Sequence, residues 1–509
     1  MISMTSMTRS ILVWVLVVCV GAPFFSTTAG AQSSDGVRRT RSTDAARAMG
    51  SGRFDEAARL YREMLQAAPD EPGLLMNFGM ALAMGGHEAE AIAPLARAVS
   101  LDAGLVAAHL FLGSSYLAIG EAAKAIRPLE RAVAARPRDT EHRRMLAQAY
   151  VAAGRPADAV THLRKITEIA PRLPGGWYAL GHAYNALTQD ALSTFEKEPD
   201  DSPWRLLLVA DALLADGRFT DAFVNYRDAL ARLPSMMTIR DSIARIYEKT
   251  GHADWAAQER RLGAMPATEC AKRRSLCDFR GGRHRASLAA ALAASDVESR
   301  YWRVRAATEL ALAAFKRLDS LPDSRERREM RAAVAREDRR FADAIGELEA
   351  ALKFAPADPD LLDDLGTSYY LARDFDKAIA TLLPLLEANP DDPRLLTVSA
   401  EALMQLQRLE EALPMLERAV ELAPADAMPR LALGRAFVQK GNFADAIPLI
   451  EPQLPGDRDG SLHVQLARAY TGLGQGERAA ALLARSQEIQ RAEQERSAAT
   501  ARRTITPPK

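Results

Sequence analysis

The residues of this chain that could do chemistry are few, and they stand apart from one another. Glycines alternate with other residues over 472–476, as in part of a phosphate-binding loop, but no strand precedes them and a turn between helices is expected there. His142, His162 and His182 are isolated, with no second ligand at metal-binding spacing. No H-E-x-x-H, G-x-S-x-G or phosphate-loop lysine motif occurs. We therefore expect no enzyme, no catalytic residue, no cofactor and no metal site.

Cys270 and Cys277 are the exception, because two cysteines in an oxidising compartment can form a disulfide. They are the two cysteines that remain if residues 1–31 are removed. We predict a disulfide between them, which by the loop-entropy model stabilises the fold by about 2–3 kcal/mol. Two reduced, buried thiols are the alternative, and two cysteines without a nearby histidine pair are too few for zinc.

The oxidising compartment is inferred from the N-terminal pattern. Arg9 precedes an unbroken apolar run over 11–20, and Ala29 and Ala31 have the spacing of a small-x-small cleavage site. The uncharged stretch is shorter than the roughly 20 residues that a spanning helix needs. We predict a signal peptide over 1–31 with cleavage after Ala31, and hence an exported protein that is periplasmic or secreted. Retention of the segment as a membrane anchor is the alternative.

Composition argues against two classes of partner and favours one kind of packing. Lysine plus arginine equals aspartate plus glutamate, at 66 each, so no overall charge favours nucleic acid or an anionic membrane surface. Apolar residues make up 48% of the chain but aromatic residues only 6%. This balance is typical of helices that pack closely on alanine and glycine.

The elements that must position any site are helices, because one pattern recurs along the chain. Over 105–137, apolar and small residues return at helical spacing on either side of Gly120, which predicts two short amphipathic helices joined by a tight turn. A shift of 34 residues carries Ala125 to Ala91 or Ala159. Later in the chain the same anchor recurs at Ala344, Ala378, Ala412 and Ala446, and then Ala479.

This period and its residue types resemble the tetratricopeptide repeat (TPR). The best match to the pattern W-x2-L-G-x2-Y is formed by Trp177, Leu180, Gly181 and Tyr184. The resemblance implies an all-α fold, a solenoid of about a dozen helical pairs stacked into a right-handed superhelix. At positions such as Gly113 a bulky side chain would force the paired helices apart, and such overpacking typically costs about 1–3 kcal/mol.

Two stretches depart from the pair pattern in the same way. After Tyr184 no glycine interrupts the helical run before Pro199, and a shift of 123 residues finds a similar phrase from Tyr301 to Pro322. We interpret each as one long helix that replaces a helical pair. The duplicated irregularity predicts two related halves.

The chain therefore divides into six parts in order. These are a cleavable signal peptide (1–31), a disordered leader (32–43), an N-terminal TPR array (44–262), an irregular connector with the cysteine pair (263–299), a C-terminal TPR array (300–476), and a capping helix followed by a disordered tail (477–509).

In the TPR family, ligands contact the first helix of each pair, between its packing residues, on the concave side of the superhelix. Carried onto this chain, the resemblance assigns a protein-binding groove to Met76, Met80, Leu110, Ser114, Arg144, Gln148, Tyr178, His182, Leu207 and Asp211, continuing at Asp241, Arg245, Asp363 and Thr367. Chaperone-binding members use a Lys/Asn/Arg set there to hold a C-terminal carboxylate, and this chain has Met and Leu instead. We call the first part of this groove, around Met76, Met80, Leu110 and Ser114, the early groove. It is apolar and rich in methionine, which suits an adaptable peptide or helix. The alternative is that Met76, Met80 and Leu110 pack between neighbouring repeats.

These observations predict a non-enzymatic protein–protein interaction scaffold of the cell envelope that holds a segment of another envelope or secreted protein in its concave groove. The alternative is a structural accessory or spacer subunit of a secretion or polysaccharide-export machine, which rests on fold-level analogy. The sequence contains no set of residues that could catalyse a hydrolase or transferase reaction. We expect no nucleic-acid partner and no stable membrane span after cleavage.

Overall fold

The computed structural model describes residues 32–199, 201–264, 270, 272–501 and 504–508, and all regular secondary structure in that part of the chain is helical. The predicted signal peptide over 1–31, with its cleavage position after Ala31, lies outside the described residues. None of the described helices is long and apolar enough to cross a membrane.

Most helices come in pairs joined by tight turns, as the repeat pattern predicts. Up to residue 193 the helices are α1 (Gln32–Gly50), α2 (Phe54–Ala67), α3 (Pro72–Met84), α4 (Glu88–Leu101), α5 (Val106–Ala118), α6 (Ala122–Ala135), α7 (Thr140–Ala152), α8 (Pro156–Ile169) and the unpaired long helix α9 (Pro174–Ser193). A 3-10 turn over Thr194–Lys197 follows α9. The long α9 confirms the predicted departure from the pair pattern.

The remainder of the described chain repeats this plan. Its helices are α10 (Pro203–Ala215), α11 (Phe219–Arg232), α12 (Thr238–Lys249), α13 (Ala253–Leu262), α14 (Arg274–Arg280), α15 (His284–Leu292), the second long helix α16 (Val297–Asp319), α17 (Arg325–Glu337), α18 (Phe341–Leu352), α19 (Pro359–Leu371), α20 (Phe375–Ala388), α21 (Pro393–Gln405), α22 (Leu409–Leu422), α23 (Ala427–Lys440), α24 (Phe443–Ile450), α25 (Ser461–Gly472) and α26 (Gly476–Ala501). A second 3-10 segment spans Glu451–Gly456. The described helices thus form twelve pairs and two long helices.

Aspartates cap several first helices and fix where they begin. The Asp392 carboxylate accepts hydrogen bonds from the backbone N–H groups of Arg394 and Leu395, at 2.9 and 3.1 Å. Asp358 does the same at the start of α19. A proline at the next position suits both helices, because its missing N–H has no acceptor there. Each cap is worth about 1 kcal/mol.

Small residues let the two helices of a pair approach closely. A Cβ added to Gly113 in α5 would lie 2.4 Å from Cγ of Leu129 in α6, and one added to Gly366 in α19 would lie 2.5 Å from Cγ of Leu382 in α20. Ala125, the repeat anchor opposite Gly113, is fully buried. The mechanical role predicted for these positions is confirmed.

The chain forms two compact units whose boundaries do not follow the division drawn from the repeats. One unit contains the described residues up to 190 together with 307–322, and the other contains 191–306 and the residues from 323 onward. Within the first unit, the Phe315 ring of α16 fills the space that the missing side chain of Gly181 leaves on α9. This packing joins the second half of α16 to α9, although sequence repeats place α16 with the later array.

Three segments that we predicted to be irregular have regular or packed structure. Helix α1 covers 32–43, where we predicted a disordered leader; once Ala45 and Ala48 are packed, each further residue adds a hydrogen bond without a new nucleation cost. The connector 263–299, which we predicted to be irregular, contains the short helices α14 and α15. The tail over 504–508 is irregular, but Ile505 packs against the core of the second unit.

Candidate functional site

The two cysteines of the connector are joined. Cys277 lies in α14, its sulfur is 2.13 Å from that of Cys270, and the two Cα atoms are 5.5 Å apart. The separation of the Cα atoms is typical of a disulfide. The bond joins Cys270, which precedes α14, to a residue within that helix.

The early groove residues lie on the first helices α3 and α5, where they are largely used for packing. Met76 and Met80 are partly buried against the cluster formed by the first pairs. Leu110 and Ser114 are each only 7% exposed. This arrangement corresponds to the alternative in which these side chains pack between neighbouring repeats.

The next two predicted positions lie on α7 and remain partly exposed. The Arg144 guanidinium donates to both carboxylate oxygens of Glu141, at 2.6 and 3.0 Å, so its charge is engaged one turn away on the same helix. Gln148 lies one turn further along and is half-buried. Because Arg144 is engaged by Glu141, Gln148 is the one of these two residues whose side chain can contact another molecule.

Tyr178 and His182 on α9 contact each other and the second long helix. Their ring centroids are 4.3 Å apart, and the His182 ring packs edge-on against Phe315 of α16 at 5.4 Å. Burial lowers the pKa of His182, so the imidazole is neutral at pH 7. The side chains of these two predicted contact residues thus pack against each other and against another part of the same chain.

Leu207 and Asp211 on α10 are also engaged internally. Leu207 is fully buried. The Asp211 carboxylate accepts hydrogen bonds from the hydroxyls of Tyr226 and Tyr301, at 2.5 and 2.8 Å, and pairs with Arg305 at 2.5 Å. Burial is the main cause of the raised pKa of Tyr226. The network ties α10 and α11 to the first half of α16.

The last predicted positions form ion pairs. Asp241 on α12 pairs with Arg280 of α14 at 2.8 Å, and its pKa is nevertheless raised, because burial outweighs the attraction of the guanidinium. Arg245 is exposed on the same helix. On α19, Asp363 pairs with Arg394, and the Thr367 hydroxyl lies 3.4 Å from its carboxylate.

An open surface lies further along, chiefly on the first helices α21, α23 and α25. A cavity of about 760 Å³ opens there. It is lined by Met404, Gln405, Arg435, Val438, Gln439, Phe443, Val464, Gln465, Ala467, Arg468, Thr471, Gly472 and Leu483. We call this surface the late groove. Its floor is apolar and its rim carries amides and two guanidinium groups.

The two cations of the late groove differ in their partners. Arg435 pairs with Glu401, whose other carboxylate oxygen accepts a hydrogen bond from the Tyr370 hydroxyl at 2.9 Å. Arg468 is exposed and forms no ion pair with any residue that the structure describes. The buried Oε1 of Gln465 likewise has no hydrogen-bond partner in the described part. The Arg468 guanidinium therefore remains as a positive charge for a bound molecule, whereas the Gln465 oxygen is inaccessible.

Continuing the repeat register past the last predicted contact position reaches residues of the late groove. The predicted series ends at Thr367. Steps of 34 residues from there reach Glu401 and Arg435, and a step of 33 reaches Arg468. The register of the anchor alanines alone could thus have located both cations of the late groove and Glu401, the ion-pair partner of Arg435.

The described surfaces differ in chemistry from a metal centre. Among the described residues, no group of three or more His, Cys, Asp or Glu side chains is placed to hold a metal ion. The surfaces on the first helices are suited to contacts with another polypeptide, because they combine apolar side chains with interspersed hydrogen-bonding groups.

Comparison with known proteins adds the family. A sequence model described as tetratricopeptide repeat matches residues 45–105, 110–174 and 364–427, and a second model with that description matches 403–463. No curated protein matches the chain.

Several solved structures are similar to parts of the chain. MamA from Desulfovibrio magneticus RS-1 is 21% identical, with a TM-score of 0.28, over 32% of this chain and 97% of that one. YrrB, described as a TPR protein with an unusual peptide-binding site, is 22% identical, with a TM-score of 0.27, over 31% and 82%. Naa15/Naa10 bound to HypK-THB is 16% identical, with a TM-score of 0.30, over 86% and 74%. The matched repeats and the helical pairs that contain them show that the chain carries tetratricopeptide repeats within residues 45–174 and 364–463.

Proposed function

We propose that the protein is a non-enzymatic scaffold that binds a segment of a partner protein on its first helices, and that the late groove is the main binding surface. The observation that carries this proposal is the combination of apolar lining residues with an exposed cation, Arg468, that forms no ion pair among the described residues. Repeat solenoids use such extended surfaces to bind other proteins.

The chemistry of the late groove favours a polypeptide ligand. Met404, Val438 and Val464 offer apolar contact along three successive first helices. The amides on the rim suit the backbone N–H and C=O groups of a peptide, and Arg468 suits an acidic side chain. We therefore expect a partner segment with apolar residues and at least one carboxylate.

The early groove is a weaker candidate. Leu110 and Ser114 are nearly inaccessible and Arg144 is paired within its own helix, whereas Met76 and Met80 keep only part of their surface exposed. A partner there would find apolar area but few free polar groups. Met80→Asp serves as the comparison for this surface.

We further propose that the protein is exported and that its partner belongs to the cell envelope or is itself secreted. The apolar N-terminal run with its small-x-small pattern supports export. The bond between Cys270 and Cys277 supports an oxidising compartment, since disulfides persist there and are rare in the cytosol. Mass spectrometry of protein purified from its own cells tests the proposal; we expect Gln32 as the first residue.

The binding proposal is tested by affinity capture from envelope extract with matched variants. Val464→Asp combined with Arg468→Glu places charge on the apolar floor and reverses the free cation. We expect this double variant to lose the partners that the wild-type chain captures. Arg458→Glu makes the same charge reversal at an exposed residue outside the late groove and should keep them.

Circular dichroism of each variant verifies that the helices are intact. Capture that survives both changes in the late groove but fails with Met80→Asp would move the site to the early groove. Capture unaffected by all of these variants contradicts binding on the first helices and favours the spacer alternative.

A further inference from the structure

The C-terminal residues Thr504–Pro508 are bound to a distant part of the chain. The hydroxyl of Tyr247, on α12, donates a hydrogen bond of 2.6 Å to the carbonyl oxygen of Thr506, across 259 residues of sequence. Ile505 packs against the core cluster that contains Tyr247. All of these residues belong to the second unit. They share no residue with the late groove.

The receiving surface is rich in aromatic side chains, and the Tyr247 hydroxyl is the group that donates a hydrogen bond to the segment. Tyr247 is fully buried, and its ring centroid lies 5.6 Å from that of Trp255 and 5.7 Å from that of Phe223. Burial raises the pKa of Tyr247 to about 12, so its hydroxyl remains a donor at neutral pH. A buried phenol normally finds an acceptor, and the acceptor here comes from the C-terminal segment.

The segment is held by few interactions. Its backbone is irregular, and among the described residues no backbone-to-backbone hydrogen bond joins it to the rest of the chain. Pro507 and Pro508 have no N–H to donate, which excludes regular strand pairing at that end. Within the described part of the chain, the recorded contact consists of one side-chain hydrogen bond and the apolar packing of Ile505. A contact this small persists chiefly because the two partners are covalently linked.

We propose that the surface around Tyr247 is a docking site for a short extended peptide, and that Thr504–Pro508 occupies it in cis as an internal competing ligand. The external ligand that fits is an extended segment with a β-branched apolar side chain, an adjacent free carbonyl and following prolines. Binding of such a segment from a partner protein displaces the C-terminal residues. This inference does not depend on the late groove.

The test compares the full chain with a chain that lacks residues 504–509. The probe is a fluorescein-labelled synthetic peptide covering 500–509, followed by fluorescence anisotropy. The truncated chain should bind it. The full chain should bind at least about tenfold more weakly, because a tethered segment competes at an effective concentration in the millimolar range. A peptide with Ile505→Asp should fail to bind.

Tyr247→Phe in the truncated chain isolates the hydrogen bond. We expect peptide affinity to fall about 2- to 12-fold, the loss expected for one hydrogen bond. Tyr116→Phe, which alters a tyrosine of the first unit, is the matched control and should leave affinity unchanged. If truncation disturbs folding, the full chain with Ile505→Asp replaces it, with circular dichroism as the check, and should bind the peptide as the truncated chain does.

Three results would overturn the proposal. The first is equal affinity of the full and truncated chains for the peptide. The second is that neither the truncated chain nor the full chain with Ile505→Asp binds the peptide. The third is a concentration-dependent dimer of the full chain that dissociates when 504–509 is removed, because this would assign the segment to a second copy instead of the same chain.

Discussion

Asp211 was predicted to contact a ligand, but its carboxylate instead bonds to other residues of the same chain and stabilises the fold. Its side chain and that of Arg305 are only 15% and 14% exposed, so both charges have lost most of their hydration. The two tyrosine hydroxyls donate one further hydrogen bond to each oxygen of the carboxylate. The spacing within the repeat assigns the residue correctly to a first helix, but it cannot reveal that α16 supplies a cation.

Asp211→Asn tests this commitment. The substitution keeps the size of the side chain but leaves the Arg305 charge buried without a counter-ion, which typically costs about 3–5 kcal/mol. We expect a clearly lower urea midpoint for the second unit. Arg418→Ala removes a comparable but exposed pair with Asp391, and should change stability by less than about 1 kcal/mol. Equal effects of the two substitutions would show that the Asp211 pair is effectively solvated.

At the scale of elements, two carboxyl groups at the start of α19 repel each other electrostatically. Asp358 caps the helix and pairs with Arg325 at 2.7 Å. Asp360, two residues later, has a pKa raised to about 6, first because of burial and then because of the nearby Asp358 charge. The folded state therefore favours protonated Asp360, whereas the unfolded chain releases the proton near the usual value of 3.8.

Asp360 should therefore make α19 less stable as the pH rises. Its contribution is fully present below about pH 4 and is lost as the pH passes through about 6. Asp360→Asn removes this dependence, so the wild type should lose stability relative to the variant between pH 4 and pH 7. Urea midpoints of both proteins at four pH values measure the difference. A difference that is constant, or that grows in the other direction, contradicts the raised pKa.

The elements themselves were largely predictable, because each repeat carries its own local signals. Anchor alanines fixed the register even where the turn lacks glycine: Arg339, Arg373 and Gln407 adopt positive φ angles of 57°, 65° and 61° there. Both long helices also followed from the absence of a turn signal. The late groove required extending the register beyond Thr367. The site of the C-terminal segment could not be predicted, since it depends on contacts between residues far apart in sequence.

At the scale of the whole molecule, stability should be distributed repeat by repeat. Within the C-terminal array, helices contact mainly the next one or two along the chain: α19 packs on α18, α20 and α21, and α25 packs on α23, α24 and α26. An array of this kind behaves approximately as a line of units coupled to their nearest neighbours. A local defect should therefore weaken its own repeat and the adjacent ones, with little effect several repeats away.

Gly366→Ala provides such a defect, because the added Cβ lies within 2.5 Å of the fully buried Leu382 and overpacking costs about 1–3 kcal/mol. Gly346→Ala is the matched control: it also lies in a helix of this array, and nothing lies within 4 Å of its added Cβ. The control should be neutral or stabilising by up to about 1 kcal/mol. Hydrogen exchange followed by mass spectrometry should show faster exchange for Gly366→Ala in α18–α21, while α25 and α26 keep wild-type protection. A uniform increase across α17–α26 would mean that the array unfolds as one cooperative block, and the late groove would then depend on packing far from its own helices.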